Sequence, residues 1–136
     1  MTVLIDTDVL LDIALNREPH AAASAQLLEA LERGAASGFI AWHSLSNFHY
    51  LVSPLQGAAE AKEFLLDLLH FVGVAQTSTA SAAYAAGLPM KDFEDALQVA
   101  AAAACGADVI ATRNIRDYTE SPVKAELPSD LLQRIG

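Results

Sequence analysis

One cysteine, Cys105, is too few for a disulfide framework, and the four histidines are too dispersed to form a zinc-ligand spacing with it. Basic residues are scarce: eight Lys and Arg stand against 17 Asp and Glu, a net charge of −9. That balance excludes a broad nucleic-acid-binding face held by charge alone. It leaves room for contact through a small Arg/Lys cluster or through metal ions. No apolar run approaches the ~18 residues of a membrane span, and no signal-peptide pattern precedes the first apolar segment. The expectation is a cytoplasmic protein with no membrane partner. Linkers and internal repeats are also missing. The 136 residues, 53% of them apolar, read as one domain spanning 1–136.

What is present alternates between strand and helix. "TVLI" is a continuous apolar run of the kind that fills a central parallel strand. "DTDVLLDIAL" has helical spacing, with Thr7 or Asp8 as its cap, and "HAAASAQLLEALERG" forms a second helix that stops at Gly34. "GFIAW" reads as a strand, "HSLSNFHYLV" as a helix capped by His43 or Ser44, and "GAAEAKEFLLDLLHFV" as a further helix. After a short strand in "GVAQTS" come a helix in "TASAAYAAGL" and a strong one in "DFEDALQVAAAAACG", ended by Gly106. "ADVIATR" is a strand, "NIRDY" a loop, "SPVKAE" a short last strand, and "PSDLLQRIG" a final helix. This alternation predicts an α/β fold with a mainly parallel sheet and right-handed crossovers.

Ligands of open parallel sheets sit at the carboxyl edge of the strands. Asp6 directly follows "VLI", and Asn114 and Asp117 follow "DVIAT", so all three fall at that edge; Asp108 precedes its strand and belongs at the other. Asp92 and Asp95 open a helix three residues apart, on one face. Capping explains one such acid, but not several acidic segments arriving at one edge. Converging carboxylates are the oxygen-rich ligand set of Mg²⁺ or Mn²⁺, and without a cation their mutual repulsion raises pKa values. Such a centre suits phosphodiester hydrolysis, with one or two ions activating water and offsetting charge on phosphate oxygens.

"VLIDTDVLLDIAL", "FEDALQVAAAAACGADVIATRN" and "RDY" resemble the successive signature blocks of PIN-domain ribonucleases, a group that includes the VapC-type toxins of toxin–antitoxin pairs. The resemblance runs over nearly the whole chain. It implies a three-layer α/β/α fold and a metal-dependent endoribonuclease using Mg²⁺ or Mn²⁺. It also implies an RNA substrate, a small antitoxin partner and a homodimer. By position, Asp6 matches the family's first acid and Asp95 its third. At the fourth, this chain carries Asn114, so Asp117 is expected to supply the charge; Asp92 is a further candidate metal ligand. The family's second acid falls at Asn47, an amide, in a stretch without acids from Ser37 to Ala59.

Asp6, Asp95 and Asp117 are therefore the candidate catalytic set, with Asn47, Ser44, Thr112, Asn114 and Arg113 as candidates for substrate binding or ligand support. Lys91, Arg113 and Arg116 flank this region, either to meet RNA phosphates or to pair on the surface. Asp8 reads as a cap, Asp12 as a surface acid, Glu94 as solvated and turned away from Asp92 and Asp95, and the histidines as structural or exposed. "DTDVL" also resembles the first block of haloacid-dehalogenase-type phosphatases, but no suitable Lys follows a later strand. The stronger alternative is a PIN-like fold with weakened or lost catalysis, acting as an RNA- or protein-binding module.

Overall fold

The computed structural model describes residues 1–136. Five strands form one sheet: β1 (Thr2–Ile5), β2 (Ser37–Ile40), β3 (Val72–Val74), β4 (Val109–Ala111) and β5 (Ala125–Glu126). Their order is β3-β2-β1-β4-β5, and every neighbouring pair is parallel. Seven α-helices connect and cover them: α1 (Thr7–Ala14), α2 (His20–Glu32), α3 (Trp42–Gln56), α4 (Ala58–Leu68), α5 (Thr79–Ala86), α6 (Phe93–Ala104) and α7 (Pro128–Ile135).

The three layers follow from the alternation of side chains along β1. Val3 and Ile5 point to one face and join Leu10, Leu27, Leu31, Phe48, Leu65 and Leu131 of the helices there. Leu4 points to the other and packs with Val99, Ala101 and Ala102 of α6 and with Ile110 of β4. Small alanines on α6 let it lie close against the sheet, and α5 packs on α6 through Ala85, Ala96 and Ala100. All of Val3, Leu4 and Ile5 are fully buried, which is why this central strand reads as an unbroken apolar run.

The central register also places the first acid. Val3 pairs with Val109 and Ile5 with Ala111, and the backbone N–H of Asp6 continues the ladder to the Ala111 carbonyl at 2.9 Å. Asp6 therefore leaves the carboxyl edge from a fixed position. Just beyond the C-cap of α6, Cys105, the chain turns at Gly106, whose φ of +68° favours a residue without a Cβ. Two local expectations are corrected. α3 begins at Trp42 with Ala41 as its N-cap, so His43 and Ser44 lie inside the helix. "NIRDY" is no open loop: Ile115–Tyr118 form a 3-10 turn that carries Tyr118 inward. No helix is long and apolar enough to cross a membrane.

Candidate metal centre

At the carboxyl edge, Asp6 is 5% exposed and has no cationic partner. Its Oδ2 accepts hydrogen bonds from the Tyr118 hydroxyl at 2.8 Å and the Thr112 hydroxyl at 2.9 Å. Burial pushes this carboxyl above its ordinary range, and the Glu94 charge adds to it, against the lowering effect of the two hydroxyls. Asp8 stands beside it. Its Oδ2 accepts from Thr112 Oγ1 at 3.0 Å and Asn114 Nδ2 at 2.9 Å, while its Oδ1 is buried with no partner. Thr112 has one hydroxyl proton for two carboxylates, so it serves one at a time. Burial and then the neighbouring Asp6 push Asp8 to about 7. Asp8 is thus part of the cluster and not a cap. The N-cap of α1 is Asp6, and no side chain caps that helix.

The other wall is the start of α6. Asp92 is its N-cap and accepts from the backbone N–H of Glu94 at 2.8 Å and of Asp95 at 3.2 Å. Asp95 is pushed to about 7 by burial and by the charges of Asp92, Asp6 and Glu94. The Tyr118 hydroxyl, 3.5 Å from Asp95 Oδ1, links this wall to Asp6. Burial and these carboxylates raise the pKa of the phenol, so Tyr118 stays a donor.

Glu94 is the largest departure from expectation. It is only partly solvated and does not turn away from the cluster: its Oε1 accepts from His43 Nε2 at 2.9 Å, Gln98 Nε2 at 3.0 Å and Asn47 Nδ2 at 3.4 Å. Burial alone would raise its pKa, but the His43 and Gln98 contacts outweigh that and hold it low. Gln98 and Ser44 are both fully buried; Gln98 Nε2 lies 3.1 Å from both Thr7 Oγ1 and Ser44 Oγ, and Thr7 donates to Ser44 at 2.8 Å. Oxygens of Asp92, Glu94 and Asp95 lie within 4.8 Å of one another.

Among the sequence candidates, Asp6, Asp95, Thr112 and Asn114 meet in this one hydrogen-bonded network. Asp117 is exposed and makes no side-chain hydrogen bond; it lines a cleft of about 410 Å³ together with Lys91, Asp92, Asp95, Arg116 and Glu120. Asn47 donates to Glu94, and Ser44 sits in the buried polar network beneath it. Arg113 points into the protein, its Nε 2.8 Å from Asp12 Oδ2. Asp12 is accordingly no surface acid: it is fully buried, with Arg17 3.9 Å away on its other oxygen. Sequence reading missed the roles of Asp8, Glu94, Gln98 and Tyr118. The only available signal was the helical spacing of Glu94 and Gln98, four residues apart on one face.

This donor set fits a hard divalent cation. It is all oxygen, it carries several carboxylates with no Lys or Arg in ion-pair contact with them, and it includes the orphaned Oδ1 of Asp8. The fold and the centre together define a three-layer α/β/α protein with an acidic pocket at the sheet's carboxyl edge. The chain belongs to the PIN domain family, whose model matches residues 2–116. Its fold is similar to that of VapBC2 from Rickettsia felis, solved bound to a DNA fragment from its promoter (19% identity, TM-score 0.73, covering 93% of this chain and 98% of that one). It is similar also to VapBC-1 from nontypeable Haemophilus influenzae (12%, 0.69, 95% and 99%). A third is FitAcB from Neisseria gonorrhoeae (17%, 0.63, 93% and 97%). No curated protein matches the chain by sequence.

Proposed function

We propose that this chain is a metal-dependent endoribonuclease, the toxin of a toxin–antitoxin pair, acting as a single cytoplasmic domain over residues 1–136. One observation carries the reading: Asp6, buried, and Asp8 and Asp95, half-buried, gather at the sheet's carboxyl edge with no Lys or Arg ion-paired to any of them. Asp6, Asp8 and Asp95 are the residues to hold Mg²⁺ or Mn²⁺, with Asp92 and Asp117 at the open rim. When bound, the cation supplies Lewis acidity toward water and phosphate oxygens. Thr112, Tyr118 and Asn114 orient the carboxylates. Lys91 and Arg116, on the rim of the cleft, are placed to meet RNA phosphates despite the acidic total.

The similarity to VapBC and FitAB assemblies supports a small antitoxin partner. Exposed Tyr50, Leu51 and Leu55 on α3, Leu66 on α4 and Leu69 at its C-cap support an additional protein contact, including a homodimer. The amides Asn47 and Asn114 favour a second reading, a binding module with weak or no cleavage. Incubating purified protein with RNA and Mg²⁺ or Mn²⁺ separates them. The nuclease reading expects metal-dependent cleavage that falls at least about a hundredfold in Asp6→Asn. RNA binding without cleavage, or equal cleavage by both proteins, sinks it.

A further inference from the structure

Glu94 is held as a metal-facing carboxylate is held. Its nitrogen donors come from two helices, yet His43, Gln98 and Asn47 all converge on Oε1; the remaining hydrogen-bonding neighbour of this part-exposed carboxylate is the Asp95 carboxyl, on the cluster side. The same one-sided loading recurs at Asp6, where both hydroxyls bind Oδ2, and at Asp8, where both donors bind Oδ2 and Oδ1 is buried without a partner. Ligating carboxylates commonly show this division, one oxygen for the ion and the other fixed by the protein. Asp12 is loaded on one oxygen too, its Oδ1 having no hydrogen bond, but there the fixing group is a cation, Arg113 at 2.8 Å on Oδ2, with Arg17 3.9 Å from Oδ1. Beneath Glu94, fully buried Gln98 and Ser44 are committed to a polar network whose one charged end is that carboxylate. Buried networks of this kind are costly unless they fix a geometry.

From this arrangement we infer that Glu94 is the carboxylate through which this chain faces the ion from the α3 side, with His43, Asn47 and Gln98 as its positioning residues. The inference rests on the metal reading above and adds a residue to it. Helix α3 contributes only amide and imidazole nitrogens there, and Asn47 Nδ2 lies 3.4 Å from the Glu94 oxygen. The charge comes from α6.

The test is calorimetric titration of the full-length chain with MnCl₂, alongside melting in chelator. The variants are Glu94→Gln and Asn47→Glu/Glu94→Gln. Glu94→Gln should weaken Mn²⁺ binding at least about tenfold, while melting in chelator falls only modestly: the charge that His43 and Gln98 favour is lost, but the amide oxygen still accepts from them. Moving the carboxylate to position 47 should restore affinity to within about threefold of wild type. Wild-type affinity in Glu94→Gln, or a drop in chelator melting without loss of affinity, overturns the inference and leaves Asp6, Asp8 and Asp95 as the site. No Mn²⁺ binding by wild type removes the metal reading itself. If Glu94→Gln does not fold, Glu94→Asp carries the test: it stays charged but reaches less far, and unchanged affinity overturns the inference.

Discussion

Asp6 and Asp12 lie six residues apart on the same segment and are both buried, yet their surroundings are opposite. Asp12 has Arg113 at 2.8 Å on one oxygen and Arg17 at 3.9 Å on the other. Asp6 has two hydroxyls on one oxygen and further carboxylates around it. A buried charge is tolerated when it is paired, and Asp12 is a strut of that kind, tying α1 to the segment after β4. The chain has an arginine at this very place, Arg113, next to Thr112 and Asn114, and turns it away from the cluster. The fold thus puts a cation in contact with the acid it uses for stability, and leaves Asp6, Asp8 and Asp95 without an ion pair.

The largest effect should come from breaking the strut. Arg113→Ala leaves fully buried Asp12 facing only the distant Arg17, at a cost of about 3–5 kcal/mol in urea unfolding. Asp12→Ala should cost less, since 27% of the Arg113 side chain is exposed and its charge can turn to water. Asp6→Asn should have the opposite sign in chelator: it removes a repelling charge while keeping an oxygen for Thr112 and Tyr118. If Asp6→Asn destabilises as Arg113→Ala does, Asp6 is a strut too and the contrast fails.

Next in size is the response to pH. Asp8 and Asp95 sit at about 7 in the folded chain against 3.8 for a free aspartate, and Asp6 is raised as well. Between about pH 4 and pH 7 the folded chain therefore holds more protons than the unfolded one. In chelator, stability should be fullest at the acid end of that window and decline as pH rises through it. Glu94 works the other way, being held below its ordinary 4.5, so its contribution is lost only at the acid end. With Mn²⁺ bound the ligands must be deprotonated, so stabilisation grows with pH. Melting scans with chelator and with Mn²⁺ should slope oppositely; identical slopes would erase the distinction between cluster and strut.

The contrast also shows what was legible beforehand. The parallel sheet, the order of elements and the placement of Asp6 and Asp95 follow from local signals: a buried run ending in an acid, and an acid opening a helix. Asp12 was misread because polarity in a helix suggests solvent, and its partner lies 101 residues away. Glu94 was misread for a related reason. Three acids in four positions look like a capping cluster, and only the tertiary fold brings His43 and Asn47 of α3 to the middle one. Tyr118 was invisible because a 3-10 turn, unlike an extended loop, sends adjacent residues apart: Asp117 outward and Tyr118 to the core.

Tyr118 provides the smallest and most discriminating effect. Its hydroxyl is the one group that touches both Asp6 and Asp95, and its ring packs in the core behind them. Tyr118→Phe keeps the ring and deletes the hydroxyl. A hydrogen bond to a charged partner is worth about 1.5–3 kcal/mol, but Asp6 retains Thr112 and its charge is already disfavoured by burial. The expected loss is therefore nearer 1 kcal/mol in chelator. Mn²⁺ affinity should fall about tenfold, as it does when a supporting hydrogen bond to a ligand is removed. If Tyr118 were only a core residue, Phe would leave the affinity unchanged, and titration of the variant decides between these outcomes.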